Sequence, residues 1–236
     1  MTGLKTGDLG SIAVLSARIT GGDRVNTPAP GSITTPAAVR HVDLEVNSGI
    51  FGKKILRLDD EMLQWGDDRV ALAGVEAVAY CVTRTSMNGV PSGTNYSFFV
   101  WSHGRRTKIV LGTALARSKA GREAYAEAFA TLADSFARLV EPRLRQALAE
   151  RVARGETVDV AGARLSSRGI EKNVPLRGTR LLPWDRFAGA GFHQGMVVVH
   201  ASRHGTRQSK AAFTVPMTEP NSVLLPELLR DLAAAA

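Results

Sequence analysis

The chain has 236 residues, 44% of them apolar, with three Trp and eight Phe, enough to bury a substantial core and outside the disordered class. Its 30 Lys and Arg against 22 Asp and Glu leave a formal charge of +8. Such a surface either attracts polyanions or simply keeps an Arg-rich protein in solution. The single cysteine, Cys81, excludes an intramolecular disulfide and any zinc site made of several thiolates.

Residues 1–41 hold mainly Gly, Thr, Pro, Ala and Ser and read as a flexible N-terminal arm, with one apolar island at 12–19 that is the alternative for an added strand. The opening residues lack the apolar centre of a signal peptide, and no apolar run reaches a membrane span, so a cytoplasmic protein is expected. Folded structure is predicted from Val42. Val42, Leu44 and Val46 alternate with Asp43 and Glu45 as in a half-buried strand, and 47–49 reads as a turn. Two short strands frame the acidic corner Asp59, Asp60 and Glu61, and Gly66 to Asp68 turns the chain again.

A strong strand is predicted over 75–83, with Cys81 as a small buried hydrophobe within it. Residues 86–93, with Asn88, Gly89, Pro91 and Gly93, read as a long turn. A hairpin follows, from 96–101 through a basic turn to 108–111. Between Ser118 and Arg154 the apolar residues Tyr125, Phe129, Leu132, Phe136, Leu139, Val140, Leu144, Leu148 and Val152 recur at helical spacing. Pro142 predicts a kink or a junction of two helices there. Arg138, Arg143, Arg145, Arg151 and Arg154 form a basic stripe, which is either a solvated face or an anion-binding one.

Strand grammar resumes after Gly155. Strands are expected through 157–161, 163–170, a re-entry at 181–184, 187–192, 196–200 and 211–215, with loops at 171–179 and 202–208. Gly189 and Gly191 permit a bend or a close strand approach. A closing helix over 222–236 has Val223, Leu224, Leu228, Leu229 and Leu232 on its inner face, and Asn221 stands where a helix cap is expected. The two halves therefore repeat one order of strands, basic hairpin and helix, with Gly104 and Gly205 at matching hairpins.

The stretch 158–232 carries a resemblance. Its strand is followed by Gly169 and Ile170, then Leu182, Pro183 and Trp184, then Gly195 with three valines, then Phe213 to Pro216 and Pro220-Asn221 before the helix. In this order it resembles the bacterial pleckstrin-homology-like proteins; the first half is similar in order alone, with Trp65 and Gly66 in place of the glycine-ended strand. The resemblance implies mainly β structure with α, as tandem bent antiparallel sheets each capped by a C-terminal helix. It implies domains at 42–140 and 155–236 joined by a helical connector at 141–154, and a piece starting near Gly155 is expected to fold alone. Trp65, Phe129, Phe136, Trp184, Asn221 and Leu228 are the expected structural residues. Eukaryotic relatives hold a phosphoinositide headgroup with a basic pair in the first hairpin, for which Lys53, Lys54 and Arg57 are the nearest equivalents; the second half offers Arg164 and Arg168. Bacterial members leave scaffold and protein-binding roles open.

Signatures of chemistry are sparse. There is no phosphate loop, dinucleotide fingerprint or nucleophile elbow. His193, His200 and His204 fall on strand and turn, a poor arrangement for a metal. Cys81, His103 and Asp67 make a triad only on paper. Tyr96, Phe98, Phe99 and Trp101 beside Arg105, Arg106 and Lys108 outline a stacking platform for nucleic acid, although one aromatic pair must face the core. The expectation is a non-catalytic cytoplasmic module without cofactor, engaging a protein or an anionic lipid surface through Lys53, Lys54, Arg57, Arg105, Arg106, Lys108, Arg203 and Arg207. A nucleic-acid-binding protein or a small enzyme of another type is the alternative.

Overall fold

The computed structural model describes residues 41–47, 52–88, 90–116, 118–174, 178–202 and 209–236. Residues 1–40 of the expected arm, the 47–49 turn beyond Asn47, and the 203–208 turn with Arg203 and Arg207 lie outside them. The architecture is mainly β with helices, in four antiparallel sheets. The first sheet is a meander of β1 (Val42–Asn47), β2 (Lys53–Leu58), β3 (Met62–Trp65) and β4 (Asp68–Ala71). A three-stranded sheet follows, made of β5 (Val75–Met87), β6 (Val90–Ser102) and β7 (Arg105–Gly112), and then α1 (Lys119–Leu139). After α2 (Glu141–Ala153) the order recurs: β8 (Val158–Val160), β9 (Ala163–Ser166), β10 (Gly169–Val174) and β11 (Gly178–Pro183) form a four-stranded sheet. The last sheet is β12 (Phe187–His193), β13 (Met196–Ser202) and β14 (Ser209–Pro216), closed by α3 (Leu225–Ala235).

The helical stretch divides where proline predicts it. Pro142 sits in the first turn of α2, where a missing N–H costs nothing, and the Ser118 side chain caps α1 by accepting from the Gly121 N–H at 3.1 Å. Tyr125, Leu132, Phe136, Val140, Leu144 and Val152 are buried and Phe129 is half-buried. Leu139 departs from its expected place, 37% exposed, because the buried row advances by fours from Leu132 and leaves residue 139 to its side. Phe136 meets Phe98 edge-on at 4.8 Å between ring centroids, and Phe98 stacks on Tyr80 at 5.2 Å. In α3, Leu228, Leu229 and Leu232 are buried as expected.

Three strand assignments change. The residues read as a turn at 86–93 belong mostly to strands, since β5 and β6 pair from Val75↔Ser102 out to Met87↔Val90, with a register shift after Thr85. That outer hairpin is polar and partly solvated, so it follows backbone pairing and has no burial pattern to betray it. Likewise 171–179 is largely β10 and β11, paired from Gly169↔Pro183 to Val174↔Gly178. The expected strand 163–170 breaks at 167–168, and Gly169 opens β10. Gly169 has φ +141, and a Cβ there would stand 2.3 Å from the Leu182 carbonyl oxygen, so only glycine fits beneath β11. The glycine and the Pro183-Trp184 pair are thus direct neighbours, and the half-buried Trp184 donates its Nε1–H to the Ser166 carbonyl at 3.0 Å. At Gly189, φ is +132 with open space around a Cβ, and Gly191 is also open; of the two readings, bend and not close approach holds.

The halves share one apolar cluster running from Val42 to Leu232. Asn221 links them. It has φ +61 and does not cap the helix with its side chain; its backbone N–H donates to the Val78 carbonyl at 2.9 Å, while its Oδ1 accepts from the Val78 N–H at 3.1 Å. One residue of the second half therefore answers both backbone groups of β5 in the first, in a buried position. The side chain is drawn away from capping because the Val78 amide has a desolvated donor to satisfy.

Each arginine of the basic stripe has a partner within the chain. Arg143 donates to the Leu72 and Val75 carbonyls at 3.2 and 2.9 Å, and Arg145 pairs with Glu227 and Asp231 on α3. Arg138 pairs with Asp134, while Arg151 and Arg154 meet Glu156. Those two guanidiniums hold the Glu156 carboxyl below its ordinary range. Arg138, Arg151 and Arg154 stay on a solvated face beside local carboxylates, whereas Arg143 fastens α2 to the first half and Arg145 fastens it to the second.

Two stability measurements check this account. Asn221→Ala should cost about 2–3 kcal/mol in chemical denaturation, since it orphans the Val78 N–H and strains a left-handed residue, whereas Asn221→Gly, which keeps the backbone freedom, should cost about 1–2 kcal/mol. Equal and negligible losses would show that the link is not structural. Ser135 is fully buried and its hydroxyl is the one buried side-chain polar atom without a hydrogen bond among the described residues, so Ser135→Ala should be neutral or stabilise by up to about 1 kcal/mol.

Candidate functional site

The early cations are largely answered by neighbours. β1 and β2 pair with Asp43 opposite Arg57 and Asn47 opposite Lys53. Arg57 Nε accordingly lies 3.2 Å from Asp43, and Lys53 Nζ 2.6 Å from Glu45, both pairs well exposed. Exposed pairs of this kind add about 0–1 kcal/mol each, but they neutralise the strand as an anion site. Lys54 lies elsewhere, its stem along Gly66 and its Nζ 5.4 Å from the centroid of the buried Trp65 ring. The corner between β2 and β3 is a local device: Asp59 accepts from the Glu61 and Met62 N–H groups at 2.9 and 2.7 Å, which lowers its carboxyl pKa.

The second cationic group gathers on one face of the β5–β6–β7 sheet. Pairing sets Trp101 opposite Arg106 and Phe99 opposite Lys108, so alternation puts these four side chains on the same side. Arg106 Cζ and Lys108 Nζ each lie 5.7 Å from the Phe99 ring centroid, and Trp101 is 6.1 Å from Phe99. Both cations are exposed, and neither has a carboxylate partner among the described residues. Arg105, on the other side of the strand, reaches Asp68 at 3.9 Å. Tyr96 and Phe98 turn to the helix side, Tyr96 with its centroid 5.1 Å from that of Phe129. Phe99 is only 6% exposed, leaving the half-buried Trp101 as the accessible aromatic. The face is cationic with an apolar floor; it is no open stack for successive bases.

In the second half, Arg164 and Arg168 both converge on Glu171, at 2.8 and 3.2 Å. Lys172 donates to the Ala161 and Gly162 carbonyls of the β8–β9 turn.

A further site was hidden in sequence. An open cleft of about 520 Å³ lies between the outer part of the β5–β6 hairpin and the start of α1, lined by Arg84, Ser92, Thr94, Thr113 and Arg122, with Gly93, Ala114 and Ala116. Gly93 lets the chain after β7 press close, since a Cβ there would stand 3.1 Å from the Ala114 nitrogen. The Thr113 hydroxyl accepts from the Thr94 N–H at 2.7 Å, and Ser92 donates to the Thr85 hydroxyl at 3.1 Å. Arg84 and Arg122 stand 38 positions apart in sequence, and only the extended hairpin brings them to one cleft.

The paper triad is not assembled. Cys81 pairs with Ser97, six residues from His103, a separation of about 20 Å along the strand. His103 and Gly104 turn their N–H groups toward Glu76 instead. His193 pairs with Met196 and His200 with Gly189, opposite ends of one hairpin, and no group of three His, Cys, Asp or Glu among the described residues could hold a metal. No helix among them is long and apolar enough to cross a membrane.

No family model matches the chain, and neither the curated proteins nor the solved structures contain a match.

Burial raises the Cys81 thiol pKa, an effect only partly opposed by the Thr83 hydrogen bond and the Lys108 charge. The folded protein should therefore keep this thiol protonated at pH 8 and react with a thiol reagent far more slowly than the denatured chain. The native rate should rise as pH climbs above the ordinary thiol range, because the thiolate is the nucleophile. Equal native and denatured rates at pH 8 would refute the assignment.

Proposed function

We propose that the chain is a non-catalytic binding module, built from two pleckstrin-homology-like halves, that engages an anionic surface on a protein or lipid bilayer. The repeated order supports the architecture: four strands in one sheet, three in the next, then an apolar-faced helix. The neighbouring positions of Gly169, Pro183 and Trp184 support it in the second half. On this reading the protein works in the cytoplasm and is peripheral at a membrane when its partner is lipid.

The observation that carries the function is the disposition of charge. Lys53, Arg57 and the five arginines of the helical stripe have partners within the molecule, whereas Arg106 and Lys108 stand over Phe99 beside Trp101 with no carboxylate partner among the described residues. Cations held over an apolar floor suit an interface, because the aromatic ring can lose water while the charges meet phosphate or carboxylate. The covered Phe99 ring weighs against nucleic-acid stacking.

Co-sedimentation with vesicles containing about one-third phosphatidylserine, and retention on an immobilised poly-glutamate peptide, separate the two surfaces. With the face engaged, Arg106→Ala/Lys108→Ala should weaken retention about 10–30-fold at low salt, from roughly 1 kcal/mol per cation, and physiological salt should weaken the wild type. Wild-type protein retained by neither, or retained equally by wild type and double variant, would sink the assignment.

A further inference from the structure

The cleft at Arg84 and Arg122 is a separate feature from the Arg106–Lys108 face. β5–β6 register places Arg84 opposite Thr94, on the side of the sheet that carries Tyr80, Tyr96 and Phe98, whereas Phe99, Lys108 and Arg106 lie on the other side. On the Arg84 side, α1 covers Phe98 and Tyr96 but begins short of Arg84, and the uncovered end of the sheet face becomes the floor of the cleft.

Its lining is chemically one-sided. Arg84 and Arg122 are the ionisable groups among its described lining residues; both are exposed, and neither guanidinium has a hydrogen-bonded or ion-paired partner among the described residues. The other described lining residues are three with hydroxyls, a glycine and two alanines. Two guanidiniums line one cleft with no carboxylate among its described lining residues, so an oxyanion between them would accept their forked donors. Arg122 also sits in the first turn of α1, where the helix adds partial positive charge. The volume, about 520 Å³, falls among clefts that take small organic ligands and exceeds what a lone inorganic ion fills.

We infer that this cleft binds a phosphate monoester, its dianionic group held between Arg84 and Arg122 and its organic part lying along Ser92, Thr94 and Thr113. A monoester is favoured over a diester because two cations are matched by the near-double charge of a terminal phosphate at neutral pH, and its three free oxygens serve both guanidiniums at once. The same chemistry is presented by a soluble compound such as glycerol 3-phosphate and by the headgroup of phosphatidic acid.

Titration calorimetry of the full chain with glycerol 3-phosphate, and flotation with vesicles of phosphatidylcholine carrying phosphatidic acid or, at equal charge, phosphatidylglycerol, test the inference. Arg84→Gln and Arg122→Gln alter exposed side chains, and circular dichroism checks that each remains folded. Support is binding of glycerol 3-phosphate, or a preference for phosphatidic acid over phosphatidylglycerol, that falls about tenfold or more in either variant and persists in Arg106→Ala/Lys108→Ala. The first result assigns a soluble ligand and the second a lipid. Absence of both, or binding unchanged in folded Arg84→Gln and Arg122→Gln, overturns the inference. Loss only in the Arg106 and Lys108 variant would likewise overturn it, leaving the face on the opposite side of the sheet as the anion site.

Discussion

A pair of hydrogen bonds between Asn221 and Val78 joins the two halves of the molecule. The edge of β5 offers an N–H and a carbonyl in a buried place, where each unpaired group costs about 1–3 kcal/mol. A strand from elsewhere would satisfy them, but a single left-handed asparagine does so instead, with its amide oxygen standing in for a strand carbonyl. Around this point the packing closes: Ser222 is buried and its hydroxyl donates to the Met217 carbonyl, and Arg143 and Arg145 tie α2 to opposite halves. Polar groups thus specify how the halves meet, while the continuous apolar cluster supplies most of the driving force.

What could be read from sequence was whatever burial imprints as a period. The α1 stripe, the Pro142 junction, the alternation of β1 and the inner face of α3 are all written by apolar spacing. The outer β5–β6 hairpin and the β10–β11 extension were missed because their residues gain from backbone pairing, which polar side chains permit without any pattern. Asn221 was legible as a special position and illegible in its role, since its partner lies 143 residues away.

The candidate site shows the same limit more sharply. Counting Lys and Arg locates positive charge, but function depends on which charges are left over. Lys53 and Arg57 appear basic in sequence and are answered by Glu45 and Asp43 through a register that only folding reveals. Arg106 and Lys108 keep their charge because the residues opposite them are aromatic. Arg84 and Arg122 gave no sequence signal at all, each being an isolated arginine until β5 is extended past Thr83 and α1 is set beside it.

The distance along the chain between Val78 and Asn221 also bears on how the protein is made. At roughly 5–20 residues per second, a ribosome adds the intervening 143 residues in roughly 7–30 s, long after the β5–β6–β7 meander has had time to form. During that interval the nascent sheet carries an edge whose permanent neighbour has not been synthesised. A holding chaperone that recognises extended backbone would have its window there, and it would close when translation delivers residue 221.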